Sequence, residues 1–255
     1  MASFEELVST AESAPFQGWD FSFLNGRYLE ARPGWSYRAL VSSRLGGAKS
    51  LLDLGTGGGE FLSSLGPIPK VACATEGYRP NTKVANAALN PLGVAMVETR
   101  CDDNRITPQR GELPFRDRAF DLVIDRHESY VTREVRRVLG TNGVFITQQV
   151  GDEDLAEVHN LFRSPPRESR WDVGVAKEQL EEAGMRVEAS GSWSGTSRFL
   201  DVGALVYLLR AVPWEVPSFS SSKFVSELRH VHTQIIERGT FEVTTARFYV
   251  VASRE

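Results

Sequence analysis

Cysteine is scarce in this chain. Among 255 residues only Cys73 and Cys101 occur, too few for a disulfide framework and too isolated for the clustered thiolates of a structural zinc site. The histidines His127, His159, His230 and His232 show no H-E-x-x-H-like spacing, so no metal is expected. Long apolar runs are missing as well: no stretch reaches the about 18 to 20 residues of a membrane-spanning helix, and no membrane partner is expected. The start, Met1 to Pro15, lacks the basic residues and apolar middle of a secretory signal, which points to a cytoplasmic location. A basic excess is also lacking. The 29 Lys and Arg against 33 Asp and Glu leave a net charge of -4, which argues against long nucleic acid, whose binding draws most of its affinity from a basic surface. What remains is an ordinary globular composition, 41% hydrophobic and 24% charged, that favours a small or weakly charged ligand. No pattern specifies an oligomeric state.

Strand-like and helix-like apolar periods alternate along the chain, with no internal repeat, and that alternation implies an α/β fold with helices covering a parallel sheet. Short runs ending in turn residues read as strands at 50–54, 70–75, 94–99, 120–125 and 143–150, each apolar on both faces as central parallel strands are. Helices are expected at 60–65, 81–88 and 130–139, the last with Gly140 as its C-cap, and at 173–183 before Gly184. A sixth strand follows near 185–190, and the alternating run 241–252 reads as the edge partner. The expected architecture is a doubly wound, seven-stranded, mostly parallel Rossmann-like sheet with an antiparallel edge strand. Residues 49–193 and 240–255 form its core. Residues 1–48, rich in aromatics, and 194–239, with apolar helix 200–212 and amphipathic helix 222–237, read as a helical cap and a lid over the carboxyl edge of the sheet.

The strand Leu51-Leu52-Asp53-Leu54 runs into Gly55-Thr56-Gly57-Gly58-Gly59-Glu60-Phe61. Glycines at such a turn let backbone approach a ligand closely, and the next helix presents free N–H groups. The spacing is D-x-G-x-G-x-G. A dinucleotide fingerprint needs G-x-G-x-x-G, and Glu60 stands where its third glycine would be, so a pyrophosphate would meet an acid. The second strand ends in Thr75-Glu76-Gly77-Tyr78, placing a carboxylate about 20 residues beyond the first glycine, where an acid accepts hydrogen bonds from ribose hydroxyls in nucleoside-binding sheets.

Asp53 to Gly59 resembles motif I of the class I S-adenosylmethionine-dependent methyltransferases. Glu112-Leu113-Pro114-Phe115 with Phe120-Asp121-Leu122-Val123 is similar to the L-P-F…F-D-x-V stretch of the small-molecule group that includes the quinone-biosynthesis C-methyltransferases. Glu134-Val135-Arg136-Arg137-Val138-Leu139-Gly140, with Gly143, matches that group's E-x-x-R-V-L-x-x-G-G except that Asn142 replaces the first glycine of the final pair. The resemblance implies S-adenosyl-L-methionine as cofactor, its methionine part over Asp53, Gly55, Thr56, Gly57 and Gly59, and its ribose on Glu76 beside Gly77. It also implies an acid near the adenine; Asp102 is the first choice for that contact, ahead of Asp103 and Glu98.

The fourth core strand delivers Asp125-Arg126-His127-Glu128 to the place where cofactor and acceptor would meet. His127 reads as a general base, since an unperturbed pKa of about 6.5 lets it take a proton at neutral pH. Glu128 reads as catalytic or as a cap of the next helix, and Arg126 as a clamp for the cofactor or a substrate carboxylate, or as the partner of Asp125. Trp19, Trp35, Tyr37, Gln148, Gln149 and Arg198 are the candidate acceptor-binding residues. The leading function is methyl transfer to oxygen, nitrogen or carbon of a small molecule. Alternatives are an RNA-base methyltransferase, a protein that binds or consumes S-adenosylmethionine without methylating an acceptor, and, last, a nucleotide-dependent oxidoreductase.

Overall fold

The computed structural model describes residues 2–16, 19–99, 112–165 and 170–255. Strands β1 (Tyr28–Leu29), β2 (Ser50–Leu54), β3 (Val71–Glu76), β4 (Ala95–Glu98), β5 (Phe120–Arg126), β6 (Leu139–Val150), β7 (Met185–Phe199) and β8 (Phe241–Arg254) form one sheet in the order β1-β7-β8-β6-β5-β2-β3-β4. The run from β4 to β6 is parallel. The α/β architecture expected from the alternating periods is therefore present, with an eighth strand, β1, as its antiparallel edge. The place of the last strand differs from expectation: β8 lies inside the sheet, antiparallel to β6 on one side and β7 on the other. Its alternation reports unequal cover on its two faces, not an edge position.

The helices are α1 (Phe4–Ser13), α2 (Tyr37–Leu45), α3 (Glu60–Ser63), α4 (Arg79–Leu89), α5 (Thr132–Val138), α6 (Ala156–Leu161), α7 (Val173–Glu182), α8 (Val202–Ala211) and α9 (Val225–Arg238). Successive strand residues point to opposite faces, so β2 and β5 feed two apolar layers. Leu51, Leu122 and Ile124 pack with Val41 of α2, Leu62 of α3 and Leu89 of α4. Leu52, Leu54 and Val123 pack with Val135 of α5 and Leu180 of α7. Helix α2 thus covers the sheet, although it lies within residues 1–48. A third apolar cluster joins α1, α8 and α9 to Phe199 and Phe241 at the far ends of β7 and β8. Those two strands pair from Met185↔Arg254 to Phe199↔Phe241 with one register shift between Val187 and Ala189, so the helices between them are mounted on a long antiparallel ribbon. Arg27 adds a bidentate bond to Asp201, the N-cap of α8, at 2.8 and 2.7 Å, tying the N-terminal segment to the helices between β7 and β8. No helix among the described residues is long and apolar enough to cross a membrane.

Two motif residues find structural uses. Gly140 is not a helix cap: Leu139 is already extended (φ −68°, ψ 136°) and Gly140 is the second residue of β6. Asn142 adopts φ 60°, a left-handed conformation that glycine favours and asparagine tolerates best among other residues. In the E-x-x-R motif, Glu134 and Arg137 pair at 2.7 Å. Together they clamp the L-P-F segment, Glu134 accepting the Leu113 N–H at 2.8 Å and Arg137 donating to the carbonyls of Leu113 and Phe115 at 2.8 and 2.7 Å.

Candidate functional site

The carboxyl ends of β2, β3, β5 and β6 open onto a cavity of about 2160 Å³, roofed by Phe16, Trp19 and Phe21 of the leader and by Pro213 and Trp214 after α8. A single small ligand occupies about 300 to 1,000 Å³, so this space admits two molecules side by side.

The first wall is the turn after β2. Gly55, Gly57 and Gly59 have φ of 61°, 64° and 86°, left-handed values that cost other residues about 1 to 2 kcal/mol. A side chain at Gly55 would strike Glu128, and one at Gly57 the ring of Trp19. Parallel pairing of β2 with β3 brings Glu76 alongside: its Oε2 accepts the Gly57 N–H at 2.8 Å and its Oε1 the Tyr78 N–H at 2.7 Å. Each oxygen retains a further lone pair. Burial raises the Glu76 pKa against these bonds, and burial, then the charge of Glu76, raises that of Asp53 to about 7. The Asn81 amide oxygen on this wall is buried without a partner among the described residues. Gly57→Ala is expected to cost about 1 to 2 kcal/mol from left-handed strain and to displace Trp19 from its stacking on Phe21; thermal melting and near-ultraviolet circular dichroism would show both changes.

The second wall is the end of β5 and β6. Asp125 is fully buried, its pKa raised well above 3.8 by burial and then by Glu128. It accepts the Gln149 amide at 2.9 Å and the Glu128 N–H at 3.2 Å. Arg126, His127, Glu128 and Gln149 line the cavity. Arg126 sets its guanidinium 5.6 Å from the Phe61 ring and makes no ion pair among the described residues, Asp125 included. Glu128 does not cap α5, whose N-cap is Val131. His127 is exposed to the cavity, and partial loss of water around the ring, then the charges of Arg247 and Arg126, lowers its pKa from the ordinary histidine value.

Other candidates are placed differently. Trp35 and Tyr37 do not line the cavity: Trp35 donates to Gln148 at 2.9 Å, and the Tyr37 hydroxyl donates to the Asp125 carbonyl at 2.8 Å beneath the strands. Gln148 is buried against His127. Arg198 is not brought to the site; it pairs with Glu242 across the β7–β8 ribbon at 2.8 Å, as alternation along β7 dictates. Glu98 pairs with exposed Arg79, and Asp102 and Asp103 lie outside the described residues.

A third wall escaped the sequence reading. Buried Asp154 bonds Arg247, which also faces Glu30 at 3.5 Å, and His159 meets Glu215 at 2.7 Å, all on the cavity surface. One signal was available: Asp152 and Asp154 follow directly on β6, whose carboxyl end is where ligands of such sheets bind.

Comparison by sequence with protein families and with curated proteins finds no match. Comparison by structure does. A candidate methyltransferase of Bacillus halodurans superposes with TM-score 0.58 at 17% identity over 85% of this chain and 98% of its own. A candidate sarcosine dimethylglycine methyltransferase of Galdieria sulphuraria gives 0.51 at 16% over 86% and 85%. The fold is that of the class I methyltransferases. The same likeness extends to the [4+2]-cyclase SpnF, with TM-score 0.50 at 14% identity over 97% of this chain and 92% of its own. The first wall has the features of a small-ligand cradle: glycines without side chains, a carboxylate with lone pairs to spare, and the unpartnered amide oxygen of Asn81.

Proposed function

We propose that this chain is an S-adenosylmethionine-dependent methyltransferase acting on a small-molecule acceptor. The observation that carries the reading is the left-handed glycine turn after β2 bonded to the buried Glu76 carboxylate at the end of β3, on a cavity with room for two ligands. When bound, the cofactor supplies a methyl on a sulfonium sulfur, open to direct in-line displacement. The chain's own work is positioning and exclusion of water. Asp53, Gly55, Thr56, Gly57, Gly59, Glu76 and Gly77 hold the donor, Trp19 and Trp214 close over the acceptor, and Arg126, His127, Glu128 and Gln149 face the space between them.

Charge supports this donor over a dinucleotide. Around the glycine turn the cavity is lined by Glu60, Glu76 and Glu128 against Arg126, an acidic balance that attracts a sulfonium and repels a pyrophosphate. The likeness to the quinone-biosynthesis group rests on the L-P-F and E-x-x-R segments, which bond to each other away from the acceptor space. The acceptor class is therefore argued from the cavity. Titration calorimetry with S-adenosylhomocysteine is expected to give one site, and NAD none. Transfer of labelled methyl to a panel of phenols, carboxylic acids and amines identifies the acceptor. No S-adenosylhomocysteine binding would overturn the reading. Binding without transfer to any member would instead favour a non-methylating role, a reading supported by the resemblance to a cyclase.

A further inference from the structure

Trp35, Gln148 and His127 form a hydrogen-bonded chain whose direction is chemically determined. The Trp35 indole nitrogen lies 2.9 Å from one terminal atom of the Gln148 amide. An indole N–H only donates, so that atom is the amide oxygen. The amide NH2, which only donates, then faces His127 Nε2 at 3.1 Å. Nε2 must accept, and in a neutral imidazole the proton is then on Nδ1.

The surroundings hold this arrangement firmly. The His127 backbone N–H donates to the Gln148 backbone carbonyl at 2.8 Å, and Arg126 pairs with Gln148 in the β5–β6 register. His127 has φ 67°, a strained turn for a residue with a side chain, and that turn folds the ring back over Gln148. Gln148 is 7% exposed, and Trp35 is packed against Tyr249 with ring centroids 5.0 Å apart, so the amide cannot rotate without breaking the indole bond. Protonating Nε2 would set N–H against NH2. The charged groups near the ring, Arg247 and Arg126, oppose protonation as well, with Arg247 partly neutralised by Asp154 and Glu30. Nδ1 has no protein partner among the described residues, and the ring is open to the cavity.

We propose that His127 serves the cavity as a neutral hydrogen-bond donor through Nδ1–H, that Trp35 and Gln148 are the positioning residues imposing this tautomer, and that the group it meets is a carboxylate or carbonyl oxygen of the bound small molecule. The adjoining Arg126 guanidinium reinforces that preference and repels a cationic group from the same corner. Because the Nε2 lone pair is engaged, the general-base role expected from the sequence is withdrawn from His127. This deepens the proposed function by naming a feature of the acceptor, and rests on it only for which molecule supplies the oxygen.

Long-range proton–nitrogen NMR on the 15N-labelled full chain reads the tautomer directly, with neither cofactor nor acceptor added. The wild type is expected to show His127 protonated on Nδ1 and unchanged across about pH 5 to 8, the range where an ordinary histidine titrates. Trp35→Phe frees the amide to turn, and the opposite tautomer should appear; Gln148→Glu should protonate Nε2 and bring a titration into that range. A wild-type ring protonated on Nε2, or titrating at about pH 6.5, overturns the proposal, as does Trp35→Phe leaving the tautomer unaltered. If a variant fails to fold, the wild-type spectrum still decides. Benzoate should shift the Nδ1–H resonance and benzylammonium should not; the reverse, or no shift with either, overturns the oxygen assignment. Failure of S-adenosylhomocysteine to bind would sink the proposed function and leave the tautomer result standing.

Discussion

Replacing Glu76 by alanine will lower affinity for S-adenosylhomocysteine by about a hundredfold or more. Two ribose hydroxyls donating to an ionised carboxylate are worth about 1.5 to 3 kcal/mol each, and about 1.4 kcal/mol is tenfold in affinity, so the pair amounts to about two decades at the lower end of that range. Alanine also strips the acceptor from the Gly57 and Tyr78 N–H groups, loosening the turn the cofactor lies on. Glu76→Gln separates the effects. It keeps shape and one acceptor oxygen but sets an NH2 against one of those two donors, and about a tenfold loss is expected, one charged bond's worth. Calorimetry gives the affinities, and circular-dichroism melting confirms that each variant is folded. An alanine variant that binds within twofold of wild type removes Glu76 from the ribose.

Asp53→Asn will stabilise the protein above pH 7 and do little near pH 4. Asp53 is buried, and its pKa is raised from 3.8 to about 7, first by burial and then by Glu76. Between those values the folded chain binds more protons at this site than the unfolded chain, so unfolding free energy falls as pH rises. The loss begins near the unfolded value and is complete once the folded value is passed. At about 1.4 kcal/mol per unit, a shift from 3.8 to about 7 amounts to roughly 4 kcal/mol as an upper bound. Asparagine carries no charge to bury and escapes that loss. Asp125 and Glu76 are also raised, so the wild type slopes in the same direction from several sites. The decisive quantity is the melting-temperature difference between variant and wild type as a function of pH, in which the sites that do not interact with Asp53 cancel. A difference that does not grow between about pH 4 and 8 would show that Asp53 is charged at no cost in the folded state.

The two predictions differ in how far their residues could be read from the chain. Asp53 and Glu76 were visible because each ends a strand in a local pattern, and a parallel neighbour brings two strand ends together whatever the loops do. The core strands were visible for the same reason, since two covered faces demand continuous apolar runs. The second half of β7 was not: Gly191 to Phe199 alternates with small polar residues and reads as loop until β8 pairs with it. Gln148 and Gln149 are consecutive strand residues and so point to opposite sides of the sheet. Which of them faced the cavity, and that the other would hold His127 and Trp35, depended on packing.

By itself the sequence determined the α/β architecture, the glycine turn and the acid beside it, because these are set by local backbone preference and by which faces each strand must bury. Only the tertiary structure decided where β8 sits, which N-terminal aromatics line the cavity, and what its third wall contains. That wall brings Asp154 to Arg247 and His159 to Glu215 from distant parts of the chain. Such groups carry no mutual spacing, since their meeting follows from how the cap rests on the β7–β8 ribbon.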